Sequence, residues 1–329
     1  MKNGPRVVVI GGGSGLSVLL RGLKGYTSNI TAIVTMADDG GGSGVLREDL
    51  GMLPPGDLRN CILALSNTEP IMERLLQYRF EDGILKGQCF GNLLIAAMVG
   101  ISSNFEEAIQ RVNEIFAVTG RVLPATTTSI MLCAELVNGT VVCGESEIPK
   151  TVLAENSAVR NVRLVPADAP AVRDAVSAIE DADLILLGPG SLYTSVIPNL
   201  LIPEICEAVL NASVQKNYIC NLMTQPGETD GYGVREHVEA ILNHCPPGIL
   251  TSVTVNTGVI SEEIGSKYLI EGAELIRFND SDRSFLTDCG VHIIENDFTE
   301  VRSNYLRHDA IRLSQRLLES IEIRQYRPG

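Results

Sequence analysis

The chain has 329 residues, of which 45% are hydrophobic and 5% aromatic, with no tryptophan, and its formal net charge is −14. That length holds one large α/β domain or two smaller ones, with room for a sizeable core. The acidic excess argues against nucleic acid and anionic membranes as partners, because that affinity comes from Lys and Arg neutralising phosphate. A local phosphate site built from backbone amides and helix ends remains open.

The chain enters a strand almost at once, with no apolar signal segment, and no run reaches the ~18 apolar residues of a membrane span. A cytoplasmic location without a membrane span is expected. Arg6-Val7-Val8-Val9-Ile10 is a short continuous apolar run, as in a strand buried on both faces. From Gly15 to Leu23, Leu16, Leu19, Leu20 and Leu23 fall on one helical face. With a second strand over Ile30–Thr35 the opening is a βαβ unit. A long glycine-rich loop follows, and then Asp57, placed to cap a helix from Leu58 to about Asn67. Helices are predicted from Glu69 to Phe80, from Gly91 to Gly100, and from Asn104 to Val118.

The middle of the chain changes character. Two apolar runs, 129–136 and 140–145, flank Asn138-Gly139, a strong hairpin signal, and the excursion continues through Val162–Val165. From Asp168 the alternation of helix and strand returns, with strands near 184–187, 217–223, 251–256 and 291–294 and a final helix over Asp309–Glu322. The pattern predicts a single α/β nucleotide-binding domain over 1–329. Its Rossmann-like, doubly wound, mostly parallel sheet carries a small antiparallel β insertion near 126–166.

Four glycine-rich turns stand where apolar strands end: Gly11-Gly12-Gly13-Ser14-Gly15, Asp38-Asp39-Gly40-Gly41-Gly42-Ser43-Gly44, Gly188-Pro189-Gly190-Ser191 and Thr224-Gln225-Pro226-Gly227-Glu228-Thr229. In an open parallel sheet these turns converge on one crevice at the carboxyl ends of the strands, where ligands bind. Glycine lets backbone N–H groups approach phosphate, and a following helix adds its positive end. The first turn has Leu16 in place of the third glycine of the dinucleotide fingerprint, although its strand–turn–helix context is right. No Gly-Lys-Ser/Thr phosphate loop occurs.

Asp38 and Asp39 lie where an acidic residue meets a ribose hydroxyl. Beside a phosphate they would also need a divalent cation, and Asp39 and Asp57 are the candidate Mg²⁺ ligands. Arg47, Arg59 and Asn92 lie close to the turns, and the hydroxyls of Ser191, Tyr193, Thr194 and Ser195 follow Gly190. Asn256-Thr257-Gly258 ends another strand and is a candidate fifth wall. The eight cysteines show no metal or redox spacing and read as structural free thiols. The four histidines fall outside every glycine turn, so neither a catalytic triad nor histidine acid–base chemistry is expected. An NAD-linked oxidoreductase lacks an assignable catalytic His, Lys or Arg.

Taken together, Gly11-Gly12-Gly13-Ser14-Gly15-Leu16, Ala37-Asp38-Asp39-Gly40-Gly41, Pro54-Pro55-Gly56-Asp57-Leu58-Arg59-Asn60, Gly91-Asn92, the run from Gly188 to Ser195 and the run from Asn221 to Thr229 resemble the bacterial gluconeogenesis-factor family. This is the YvcK-like branch related to the CofD-like 2-phospho-lactate transferases. The resemblance spans residues 6 to about 320 and departs at Val45, where the family carries a basic residue. It implies a UDP-sugar or NAD-like dinucleotide ligand, with Mg²⁺ held by acidic residues in the transferase relatives. The function it implies is regulation of cell morphogenesis and envelope synthesis on gluconeogenic carbon. A protein partner in envelope synthesis and a homodimer are further expectations. The alternative is a Mg²⁺-dependent phosphotransferase using a nucleotide-diphosphate donor. The ligand-binding residues expected are Gly11, Gly12, Gly13, Ser14, Gly15, Asp38, Asp39, Gly40, Arg59, Asn60, Asn92, Gly188, Gly190, Ser191, Thr194, Ser195, Thr224 and Gln225.

Overall fold

The computed structural model describes residues 4–302 and 305–325. Strand β1 (Val7–Gly11) is buried along its whole length, as its unbroken apolar run requires. Helix α1 (Gly13–Leu23) returns over it with Leu16, Leu19, Leu20 and Leu23 inward, and β2 (Ile30–Val34) completes a parallel unit with β1. Helices α2 (Gly41–Leu50), α3 (Gly56–Leu65), α4 (Pro70–Gln77), α5 (Phe90–Gly100) and α6 (Phe105–Ile115) lead to β3 (Arg121–Pro124). The insertion follows: β4 (Met131–Leu136), β5 (Val141–Cys143), α7 (Ile148–Glu155) and β6 (Val159–Val165).

Helix α8 (Arg173–Glu180) then leads to β7 (Leu184–Leu187), which runs through a π-helical turn, Leu192–Val196, into α9 (Ile197–Leu200) and α10 (Pro203–Asn211). Next come β8 (Gln215–Ile219), α11 (Val234–His244), β9 (Ser252–Asn256), α12 (Glu262–Ile270), α13 (Asp280–Asp288) and β10 (His292–Asn296). The hairpin β11 (Thr299–Arg302) and β12 (Tyr305–His308) precedes the last helix, α14 (Ala310–Gln325).

The main sheet has seven strands in the order β10-β9-β8-β7-β1-β2-β3, and every pairing in it is parallel. Helices cover both faces, so this is a Rossmann-like α/β fold. The insertion is a separate antiparallel sheet in the order β5-β4-β6. No helix among the described residues is long and apolar enough to cross a membrane.

Four local expectations are corrected. The glycine-rich stretch after β2 is not all loop: from Gly41 it winds into α2, because glycine tolerates the first turn and Leu46 then buries against the core. Strand β3, at the edge of the main sheet, and the β11–β12 hairpin, a sheet of its own, are additional; both are short with weak apolar patterning. Asp57 does not cap α3, whose N-cap is Pro55; it sits inside the first turn. The cysteines are not all free thiols. Cys133 and Cys143 form a disulfide across β4 and β5, brought face to face by the hairpin register rather than by any sequence spacing.

Candidate functional site

Strand β1 lies between β2 and β7, so the chain leaves it in opposite directions and a crevice opens at the carboxyl ends of β1 and β7. Two glycine turns meet there. Gly11 closes β1, its carbonyl accepting from the Thr35 N–H at 3.0 Å and from Asn199 Nδ2 at 3.3 Å. Gly12 is the N-cap of α1 and contributes no side-chain cap, which leaves first-turn amides for an outside acceptor. Gly13 holds φ at +71°, and Gly188 holds +77° while donating its N–H to Ile10 O.

The two turns interlock too tightly for side chains. A Cβ on Gly15 would stand 2.9 Å from Pro189 O, and one on Gly190 would stand 2.9 Å from Gly12 O. Asn221 clamps the second turn, accepting from the Gly190 N–H at 3.3 Å and donating to Gly190 O at 2.9 Å. In front of the turns is a cleft of 360 Å³ walled by Gly13, Ser14, Gly15, Gly190, Ser191, Thr224 and Gln225, with Tyr268, Arg307 and His308 opposite. Burial pushes the His308 imidazole down to about 4, so it faces the cleft uncharged.

Behind Gly12 lies a half-buried acidic group. Asp57 accepts the Gly13 N–H, and burial followed by the neighbouring Asp38 charge pushes its carboxyl up to about 6. Asp38 Oδ1 accepts the Gly40 N–H at 2.9 Å, which fixes the turn leading to α2. Asp39 faces the other way: its two oxygens accept the N–H groups of Glu145 and Ser146 at 3.0 and 2.9 Å. It therefore anchors the β insertion. The buried Thr194 hydroxyl donates to Glu228 Oε1 at 3.2 Å and also contacts Glu145. Burial raises Glu145 and Glu228 each to about 7, with Asp38 adding to the effect on Glu145. Glu228 Oε2 is buried with no hydrogen-bond partner.

The guanidinium of Arg59 is held by amides: Nη1 donates to Asn92 Oδ1 at 2.8 Å and Nη2 to Asn60 Oδ1 at 2.9 Å. Its Nε is buried without a partner, and among the described residues no carboxylate forms an ion pair with it. Arg47 instead ties α2 to the insertion through Ser129 Oγ and the Ile130 carbonyl. Ser195 lies beside Gly12 and Gly13, while Gln225 Nε2 donates to Ser191 Oγ at 2.6 Å. Asn256 is used internally, its Oδ1 accepting from the N–H of Phe298 and Gly258, and it stands outside the cleft wall.

The chain matches the family described as 2-phospho-L-lactate transferase CofD over residues 7–299. It is 43% identical to the gluconeogenesis factor of Bacillus subtilis over 97% of this chain and 98% of that protein. The chain belongs to the gluconeogenesis-factor branch of the CofD family. A Thermoanaerobacterium thermosulfurigenes relative is 55% identical over 97% of this chain and 98% of its own. A crystal structure of a Bacillus halodurans protein superposes with a TM-score of 0.91 at 47% identity, covering 95% of this chain and 99% of that one.

In this CofD-family chain the first and third glycine turns and the Thr224–Gln225 loop form one cleft, and the Asp38–Asp57 group sits directly behind it. Arg59, Asn60 and Asn92 form a separate cluster. Sequence reasoning passed over Glu145, Asn199, Tyr268 and Arg307, which no local motif marks. Asn221 and Glu228 lay inside a quoted motif but carried no assigned role.

The residues fit a divalent cation only in part. Asp57 and Asp38 offer neighbouring carboxylates behind the Gly12 turn, and burial raises Asp57 despite the opposing Gly13 N–H and Arg59 charge. Asp39 does not fit, since both its oxygens already accept amides. Among the described residues no group of three or more His, Cys, Asp or Glu side chains is arranged to hold a metal ion.

Proposed function

We propose that this chain binds a nucleotide diphosphate sugar, or an NAD-like dinucleotide, with its phosphates over the Gly12–Gly15 and Gly188–Ser191 turns. The observation that carries the reading is the interlock of the turns, in which Gly15 and Gly190 leave no room for a Cβ. Such packing presents the first-turn amides after Gly13, whose own N–H goes to Asp57, at a helix start with no N-cap side chain, an arrangement that takes anions despite a net charge of −14. Arg307, which also lines the cleft, supplies a cation. Relatives named gluconeogenesis factor support a role tied to gluconeogenic growth, and we extend the proposal to regulation of cell morphogenesis and envelope synthesis. In this reading the protein is cytoplasmic, works as a homodimer and passes its signal to a protein partner of envelope synthesis.

A second reading, phosphotransfer from a nucleotide diphosphate, is favoured by the family description and by the half-buried Asp38–Asp57 group. Mg²⁺ held there would neutralise phosphate charge. The chain's own contribution would be orientation by the glycine turns and exclusion of water by the interlocked loops. Calorimetry with UDP-glucose, UDP-N-acetylglucosamine and NAD tests the binding reading. Micromolar binding to at least one is the expected result, and absence of binding to all three overturns it.

A further inference from the structure

Helix α12 is held unlike any other helix around the crevice. Its one buried residue is Ile264, while Leu269 and Ile270 are 60% and 88% exposed and Val259 just before it is 90% exposed. One flank, with Tyr268 and the following Glu271 and Ala273, faces the cleft in front of the glycine turns. The other flank, with Ile260, Ser261, Gly265 and Leu269, faces a second hollow of 880 Å³ backed by Arg235 of α11 and Asp282 of α13. The helix therefore stands between two empty spaces. Its apolar anchor, Leu222, Ile264 and Leu306, is a small cluster separate from the main core.

Beside the Lys267 ammonium over the Tyr305 ring, the Tyr268–Tyr305 edge contact and the Met223–Leu275 bridge, two hydrogen-bonded ties hold it over the cleft. The Tyr268 hydroxyl accepts the Leu306 N–H at 2.8 Å, which joins α12 to β12. Past the helix, the Thr224 N–H donates to Glu274 O at 2.8 Å, and the Glu274 N–H donates to Thr224 Oγ1 at 2.8 Å. Thr224 is thus both a wall of the cleft and the anchor of the segment that leaves α12. Gly272, at φ +80°, gives that segment a turn that L side chains rarely adopt.

We propose that residues 258–275 form a lid that moves between the cleft and the hollow behind it, with Tyr268 and Thr224 as its latches. Ligand in the cleft meets Thr224 and Tyr268 directly and stabilises the closed position, so occupancy is converted into the position of an exposed apolar helix end. The proposal rests on the reading that the cleft binds a nucleotide. A segment with so few buried contacts opens locally, without global unfolding.

Amide hydrogen exchange on the intact chain tests it with and without ligand. In the ligand-free protein, amides of 262–270 exchange at least about a hundredfold faster than those of α1 and β1. Exchange of α12 only with global unfolding overturns the lid. Tyr268→Phe lowers protection of 262–275 about tenfold and leaves α1 unchanged; no change at 262–275 overturns the latch. With UDP-glucose at saturation by calorimetry, protection at 262–270 rises about tenfold, and measured binding with unchanged protection overturns ligand-driven closure. If calorimetry detects no binding, the nucleotide reading fails, while the two ligand-free comparisons still decide whether the lid exists.

Discussion

Asp57 and Gly12 are in direct contact: a Cβ built on Gly12 would stand 2.5 Å from Asp57 Oδ2, and the Asp57 carboxylate accepts the N–H of the next residue, Gly13. The acid of one motif thus sets the shape of the phosphate turn of another. Neither can change without moving its neighbour.

Gly12→Ala and Gly13→Val both lower affinity for UDP-sugar or NAD at least tenfold, about 1.4 kcal/mol or more. The first displaces Asp57, and the second forces a β-branched residue into φ +71°. Calorimetry on variants that keep the wild-type circular dichroism spectrum checks this. Wild-type affinity in either one removes that turn from the site.

Asp39 and Asp57 separate into different roles. Asp39→Asn leaves one of two insertion amides poorly paired and destabilises the chain by about 1–3 kcal/mol in urea unfolding, with little effect on the magnesium dependence of binding. Asp57→Asn lowers the magnesium dependence instead. The reverse pattern would return the metal to Asp39.

The raised carboxylates make stability fall with rising pH. Glu145 and Glu228 move from an ordinary 4.5 to about 7, so the folded chain binds more protons than the unfolded chain across that window. Their stabilising contribution is present at low pH and is lost as pH rises through the folded values. The buried histidines oppose this below their ordinary value of 6.5, so a variant must isolate the effect. The Glu145→Gln/Glu228→Gln double variant melts above wild type at about pH 8, and the gap closes towards about pH 5. A gap independent of pH contradicts the buried pair.

Turnover distinguishes a regulator from a transferase. The expected outcome is binding of UDP-sugar in Mg²⁺ with no release of UDP or UMP over hours, followed by chromatography. Steady release abolished by Asp38→Asn would make the chain an enzyme.

The strands were legible because each is a short, mostly apolar run followed within a few residues by a glycine turn. β1, β2, β7 and β9 lie within a residue or two of their predicted positions. The hairpin at Asn138-Gly139 was equally plain, since its turn chemistry is local. Elements whose stability comes from packing were not legible: α2 was hidden in a glycine run, and β3 exists because β2 offers it an edge.

The residue types of the cleft, and the order of strands and turns that brings them to one end of a sheet, were fixed by the sequence. Only the tertiary structure decided which turns interlock, that Asp39 serves the insertion while Asp57 serves Gly13, and that Glu145 meets Glu228 across Thr194. Those pairings join residues 34 to 178 positions apart. Local pattern carries information about neighbours within a turn or two of chain, whereas desolvation and contact arise only where distant segments exclude water together.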